Sequence, residues 1–337
     1  MSNLTNEIAY LNLIARNILV FGGSTLFIIG IIGNSINILI FSSFPQFNKG
    51  STSIFLLFSF LGSQTTLFTG LLPQIVHRFS GTDPLVTYVI LCKLRWYIGL
   101  GSATVALHCL TLAAVNQYLL TSRNIHHHQL INRRRAFIIS FFVIVYTFGL
   151  LSPYFIYYTH IRNSINMTQC DVDNTIAASY NAYITLIIYS IGPIIILSIF
   201  SFFTWRNIRN KLVRHPTIEQ SLTRLVFAQI TMVLLASVGF AVRRTYSLYT
   251  LNMQKSALQI AEENVATNAF TLFSFIVYSF SFLTFFFQFK SVSSKSSIFI
   301  VERETSTSSY CSTRSQRCAN RNTNYSVNLH ELDLNHI

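Results

Sequence analysis

Charge is what this 337-residue chain has least of. Only 10% of its residues are Asp, Glu, Lys or Arg, where an average soluble domain carries about 25%. A soluble protein of this length needs a charged surface however large its core, so the shortage excludes an ordinary soluble domain. Acids are scarcest, 11 against 24 basic residues for a net charge of +13. The missing charge is concentrated in particular places. Seven stretches of 18 residues or more contain no charge at all: 17–48, 50–77, 96–122, 136–161, 174–205, 225–242 and 264–289. Such spans lack the intramembrane charges by which transporters move solutes. They also lack convergent acids or a metal-ligand spacing such as Glu-x-x-His, which counts against an enzyme and against a metal or cofactor site.

The charge-free stretches are long enough to read as membrane spans. A helix rises about 1.5 Å per residue, so crossing about 30 Å of hydrocarbon takes roughly 20 residues. The runs are continuously apolar, as in "FIISFFVIVYTFGLL", whereas barrel strands alternate in polarity over about 10 residues. The expected fold is therefore an all-α membrane protein, a seven-transmembrane helix bundle. Lys and Arg collect on the cytoplasmic side of short loops. With seven spans, sixteen of the 24 basic residues fall on the side opposite the N-terminus, among them Arg133, Arg134 and Arg135 and five residues between 206 and 224. The N-terminus is thus expected to be extracellular, and the protein to be a multi-pass protein of the plasma membrane. The basic excess reads as orientation in the lipid bilayer, because no nucleic-acid-binding signature accompanies it.

This topology divides the chain into an outer N-terminus 1–16, a seven-helix domain 17–290 and a cytoplasmic tail 291–337. The tail is rich in Ser, Thr and Asn ("ETSTSSYCSTRS") and too poor in apolar residues to fold alone. No basic segment before a short apolar stretch marks residues 1–16 as a cleaved signal. Asn3 and Asn166 head glycosylation triplets that fall outside. No internal repeat is evident, a further argument against a transporter built of related halves. Cys92 and Cys170 both face the oxidising side, where a bridge is allowed. Two free outer thiols are the alternative at this stage. Cys109 is mid-span and reads as a small buried apolar residue.

Several residues together resemble the rhodopsin-like (class A) G protein-coupled receptors over residues 17–300. Gly33-Asn34 in "IIGNSINILIF" matches the Gly-Asn of the family's first helix. Pro153 and Pro193 match the prolines of helices four and five. Asn116-Gln117-Tyr118 lies 24 residues beyond Cys92, where the family carries Asp-Arg-Tyr. The resemblance implies a Cys92–Cys170 disulfide, a cell-surface receptor for an extracellular ligand, and signalling through a heterotrimeric G protein. It also implies that Asn116, Gln117 and Tyr118 form the G protein switch at the inner end of helix three. Amides there keep hydrogen-bonding capacity but lose the long-range field of a charge.

Departures from the family are as informative as matches. Ser63 stands about where the helix-two aspartate should be, and no acid occurs in 50–77. Helix six lacks Trp-x-Pro, with Gly239 in the proline's place. Helix seven lacks Asn-Pro-x-x-Tyr. Glu219, 20 residues before Gly239, occupies the position of an acid that in many relatives pairs with the helix-three arginine. Here it could meet only the amide of Gln117, which suggests weak coupling. Asn34 is expected to be a packing hub that bonds polar groups of helices two and seven such as Ser63 and Ser281. Gly33, Pro193 and Gly239 complete the bundle-packing set.

For the ligand, the resemblance supplies exclusions. Gly99 stands where amine receptors carry an acid, and residues 264–289 offer no lysine for a retinal Schiff base. Arg95, Arg243, Arg244, Asp171, Asp173 and Glu262 give a rim of both signs, suited to a peptide, although any one of them reads equally well as a solvated loop charge. A seven-helix transporter or a non-signalling membrane protein remains the alternative.

Overall fold

A computed structural model describes residues 2–44, 50–81, 83–122, 130–162, 168–209, 217–250, 253 and 255–279. Asn166, Ser281 and the tail 291–337 lie outside the described residues, as do the side chains of Asn3, Glu219 and Arg244. Seven long helical segments occur among the described residues. They are α1 (Leu4–Ser43), α2 (Ser51–Ser80), α3 (Val89–Thr121), α4 (Arg133–Leu150), α5 (Thr175–Arg209), α6 (Thr217–Tyr249) and α7 (Ala257–Ser279). Apart from single end residues, each of these helices carries the described part of one charge-free run, except that 136–161 continues past α4 into a short turn and a strand and that 280–289 lie outside the described residues. Helix is what such a sequence must adopt in lipid, where every backbone N–H and C=O has to be satisfied within its own segment.

The bundle is packed through small and hydroxyl-bearing residues together with a core of large apolar side chains such as Phe41, Phe55, Phe60 and Leu197, while other large apolar side chains turn outward. Phe21, Ile28 and Leu39 on α1 and Phe137, Phe142 and Tyr146 on α4 are exposed, whereas Ser51, Thr52, Ser59, Ser63, Ser102 and Thr104 are buried. Lipid is as apolar as leucine, so close backbone approach and interhelical hydrogen bonds hold helices together in place of the hydrophobic effect. The tightest pair is α2 with α3. A Cβ added at Gly62 would lie 2.7 Å from the Ser102 carbonyl oxygen and 3.1 Å from the Ala106 amide nitrogen, so glycine alone permits that approach. Ser59 Oγ donates to Ala106 O across the same seam, at 2.9 Å.

Several helices are irregular. Five-residue π-turns interrupt α1 at Ile18–Gly22, α2 at Leu67–Leu71 and α3 at Arg95–Gly99, and a seven-residue one interrupts α5 at Thr185–Ile191. Such bulges frequently mark functional sites in helices. In α5 the cause is local: Pro193 has no N–H to continue the ladder, and the chain widens just before it. A Cβ at Gly192 would sit 2.9 Å from Ile187 O, which explains the glycine. Pro153 likewise ends α4 at Leu150 and opens a further short turn, Ser152–Tyr157.

Between α4 and α5 an antiparallel hairpin, β1 (Tyr158–Arg162) and β2 (Thr168–Val172), pairs His160 with Cys170. Cys170 is disulfide-bonded to Cys92 of α3, Cα to Cα 5.7 Å. His160 Nε2 donates to Leu85 O at 2.7 Å, tying the α2–α3 loop to the same hairpin. This is the hairpin end of the bundle, and the last turn of α3 marks the opposite, amide end. The first helix extends at the hairpin end. Regular helix already spans Ser2–Asn17, from two residues ahead of α1, and Ala15 O accepts from Asn268 Nδ2 of α7 at 2.8 Å.

Candidate functional site

Asn116, Gln117 and Tyr118 occupy successive positions near the end of α3, about 100° apart around the helix, and so face three directions. Tyr118 packs on α5, its ring 5.4 Å from Phe200 and 5.9 Å from Phe203. Asn116 is 1% exposed and Gln117 3% exposed. Asn116 Nδ2 donates to Ser51 Oγ at 2.9 Å and to Thr52 Oγ1 at 2.7 Å, both on the first turn of α2. Gln117 Nε2 donates to the same Thr52 oxygen at 3.1 Å, and its Oε1 accepts from Thr223 Oγ1 of α6 at 2.8 Å. Among the described side chains, two amides and three hydroxyls thus join α2, α3 and α6 without any charge. Gln117 uses both ends of its amide, which is why it can bridge two helices when a shorter side chain could not. Each such bond contributes about 1 kcal/mol net, and stranding a buried partner costs about 1–3.

Asn34 is fully buried, and its Nδ2 donates to Tyr278 O of α7 at 2.8 Å. Ser63 donates instead to Ser59 O on its own helix, at 2.9 Å. Gly33 and Pro193 are buried, and Gly239 faces Phe270 and Phe273 of α7.

The rhodopsin-family description, "7 transmembrane receptor (rhodopsin family)", matches this chain over residues 33–288. The chain belongs to that family. No individual curated protein matches it. A receptor role follows, with a multi-pass position in the plasma membrane and with an extracellular ligand and a G protein as partners; it is not an enzyme.

The anticipated ligand-site residues are distributed around the hairpin end. Arg95 is half-buried, with its guanidinium 5.5 Å from the Trp96 ring centre. Gly99 is buried against Thr69 of α2. Arg243 Nη1 donates to Thr271 Oγ1 of α7 at 2.9 Å. Asp171 accepts from the Val172 N–H at 2.8 Å within its own strand. Asp173 and Glu262 are exposed. Glu219 and Thr223 are one helical turn apart on α6. The Thr223 hydroxyl meets Gln117, whereas the Glu219 side chain lies outside the described residues.

Three features were missed in the sequence. Thr52 sits in the run Ser51-Thr52-Ser53, a hydroxyl cluster at a helix start that could have signalled a polar seam. Tyr189 and Tyr278 join hydroxyls at 2.8 Å in mid-bundle, and nothing local in the sequence marks them. At the hairpin end Lys255 Nζ donates to Glu263 Oε2 at 2.7 Å and to Thr250 Oγ1 at 2.9 Å, while Tyr246 Oη donates to Glu263 Oε1 at 2.8 Å. The bonds from Lys255 and Tyr246 hold the Glu263 carboxyl below its ordinary range, and Glu263 pushes the Tyr246 phenol up.

Proposed function

We propose that this protein is a cell-surface receptor with an extracellular N-terminus that takes a peptide at the hairpin end and couples weakly to its G protein. The observation that carries the weak coupling is the neutral network on Gln117. Family members place an arginine there that reaches toward the opened G protein site. In this chain the same position holds an amide with its donor on Thr52 and its acceptor on Thr223. Two effects compete. A lock of neutral bonds is softer than an ion pair and would raise basal activity. Loss of the arginine removes a contact to the partner outright and lowers coupling. The second dominates, because the Thr52 and Thr223 bonds compensate for the first within the bundle.

The peptide reading rests on the mixed charges of the rim and on Gly99, which leaves an amine ligand without its anchor. It also rests on the absence of a lysine from 264–289. A peptide-library screen on cells co-expressing a promiscuous G protein tests it. The coupling is tested by nucleotide exchange in membranes holding matched amounts of receptor. Gln117→Arg, alone or with Asn116→Asp, is expected to raise exchange several-fold over the parent. No gain from either variant with any G protein would favour a non-signalling membrane protein.

A further inference from the structure

We propose that the face of α3 left open between α4 and α5 is a lipid-side site for a sterol hydroxylated at the end of its side chain, with His108 as the group that receives the hydroxyl. From Gly101 to Gln117 every α3 residue is buried except His108, Leu112 and Val115. Their spacing of four and three puts them on one face of the helix, and half-buried Leu119 extends it. The neighbours on either side fix where that face points. Cys109, about 100° around the helix from His108, meets Ser140 of α4. Tyr118, about 80° the other way, meets Phe200 and Phe203 of α5. The open face is therefore a furrow between α4 and α5. Towards the hairpin end it closes. Thr104, one turn above His108, is buried, and α5 is joined there to α4 and the turn after it by Tyr180 Oη on Leu150 O at 3.0 Å and Tyr154 Oη on Asn181 O at 2.9 Å. The furrow opens sideways to lipid, so it is separate from the peptide site proposed at the hairpin end.

His108 Nε2 lies 3.2 Å from Ile188 O, in the π-turn of α5. That carbonyl needs a donor from another helix. In π geometry it would accept from residue 193, and Pro193 has no N–H. Nε2 therefore carries the ring proton, and in the neutral ring Nδ1 is a bare acceptor. Nδ1 has no hydrogen-bond partner among the described residues. A tryptophan would serve Ile188 O with its N–H and strand nothing. The histidine adds an acceptor on a lipid-facing stripe where there is no water to bond it, and a hydroxyl arriving from the lipid completes it. Depth selects the kind of lipid. His108 is 12 residues from one end of the charge-free run 96–122 and 14 from the other, about 18 and 21 Å along the helix. It is thus near the bilayer centre, out of reach of the hydroxyl that an ordinary sterol keeps at the interface. From His108 to Leu119 is about 16 Å, close to the length of a sterol. A sterol with its head at the Leu119 end brings a side-chain hydroxyl to Nδ1.

The test uses the full chain in phosphatidylcholine nanodiscs and a tritiated sterol with a terminal side-chain hydroxyl. Saturable binding is expected, displaced by the same sterol unlabelled and at least about tenfold less well by cholesterol, since a site built around a hydrogen bond rejects the analogue that lacks it. His108→Trp keeps an N–H for Ile188 O but has no acceptor, so affinity should fall at least about tenfold. His108→Gln has both a donor and an acceptor and should stay within about threefold of the parent. Leu112→Trp fills the furrow and should abolish binding with His108 intact. Size-exclusion recovery and thermal unfolding check that each variant is folded. Should His108→Trp not fold, the Leu112→Trp and cholesterol arms still decide. No saturable binding to the parent would overturn the proposal. Equal displacement by cholesterol would overturn it too, since the furrow would then fit any sterol body, and so would unchanged affinity in either Trp variant. Neither peptide nor G protein enters the measurement, so its failure is distinct from failure of Gln117→Arg to raise nucleotide exchange.

Discussion

Thr52 is the residue on which the amide end depends most. Its hydroxyl oxygen accepts from both Asn116 and Gln117, filling its two acceptor positions. Thr52→Val keeps the shape and strands donors on two buried amides, although Asn116 retains Ser51. Thr223→Val strands Gln117 Oε1. Thermal unfolding in nanodiscs is expected to show a loss of about 1–3 kcal/mol for Thr223→Val and a larger one for Thr52→Val. Equal losses would mean that Thr52 carries only one of the two bonds. Because these groups are uncharged, neither loss should change with salt. Glu263 behaves differently. Its carboxyl is held below the ordinary range by Lys255 and Tyr246, so the brace it forms is fully present above the ordinary glutamate pKa of about 4.3. The brace is lost as pH falls through the lower folded value. Hydrogen-exchange protection at 250–263 should therefore hold from neutral pH down to about 4 and drop below it. In Glu263→Gln the drop should be absent.

At the scale of elements, the sequence was legible wherever composition alone decides. Each of the seven charge-free runs carries a long helix over most of its described residues, and Pro153 and Pro193 each lie at or just beyond a break or a π-turn. The π-turns in α1, α2 and α3 were not legible, since the residues on either side are as apolar as those within. At the amide end the three α3 residues were legible by their spacing from Cys92. Their partners were not, because Gln117 meets Thr52 across 65 residues and Thr223 across 106. Such pairing depends on how helices pack, which in turn depends on glycines whose role a single sequence does not declare. Gly62 and Gly149 make the contrast testable. A side chain at Gly62 meets the backbone of α3, whereas at Gly149 of α4 nothing lies within 4 Å. Gly62→Val should abolish most of the folded yield. Gly149→Ala should leave it unchanged or gain up to about 1 kcal/mol from helix propensity. Size-exclusion recovery and thermal unfolding of both variants check this.

For the molecule as a whole, one dimension exceeds what a membrane requires. The 40 residues of α1 rise about 60 Å, twice the hydrocarbon thickness of about 30 Å. Residues 4–16 of α1 lie ahead of its charge-free run and are braced sideways: Ala15 is bonded to Asn268 of α7, and Arg16 Nε donates to Arg78 O at the end of α2, at 3.0 Å. A helix supported on two sides in this way is a mast. Any rigid helical tag joined in phase ahead of Ser2 would turn with the bundle and would not swing on a loose tether. A protein of 38.4 kDa would thereby carry a built-in mounting point for a fiducial in an electron micrograph.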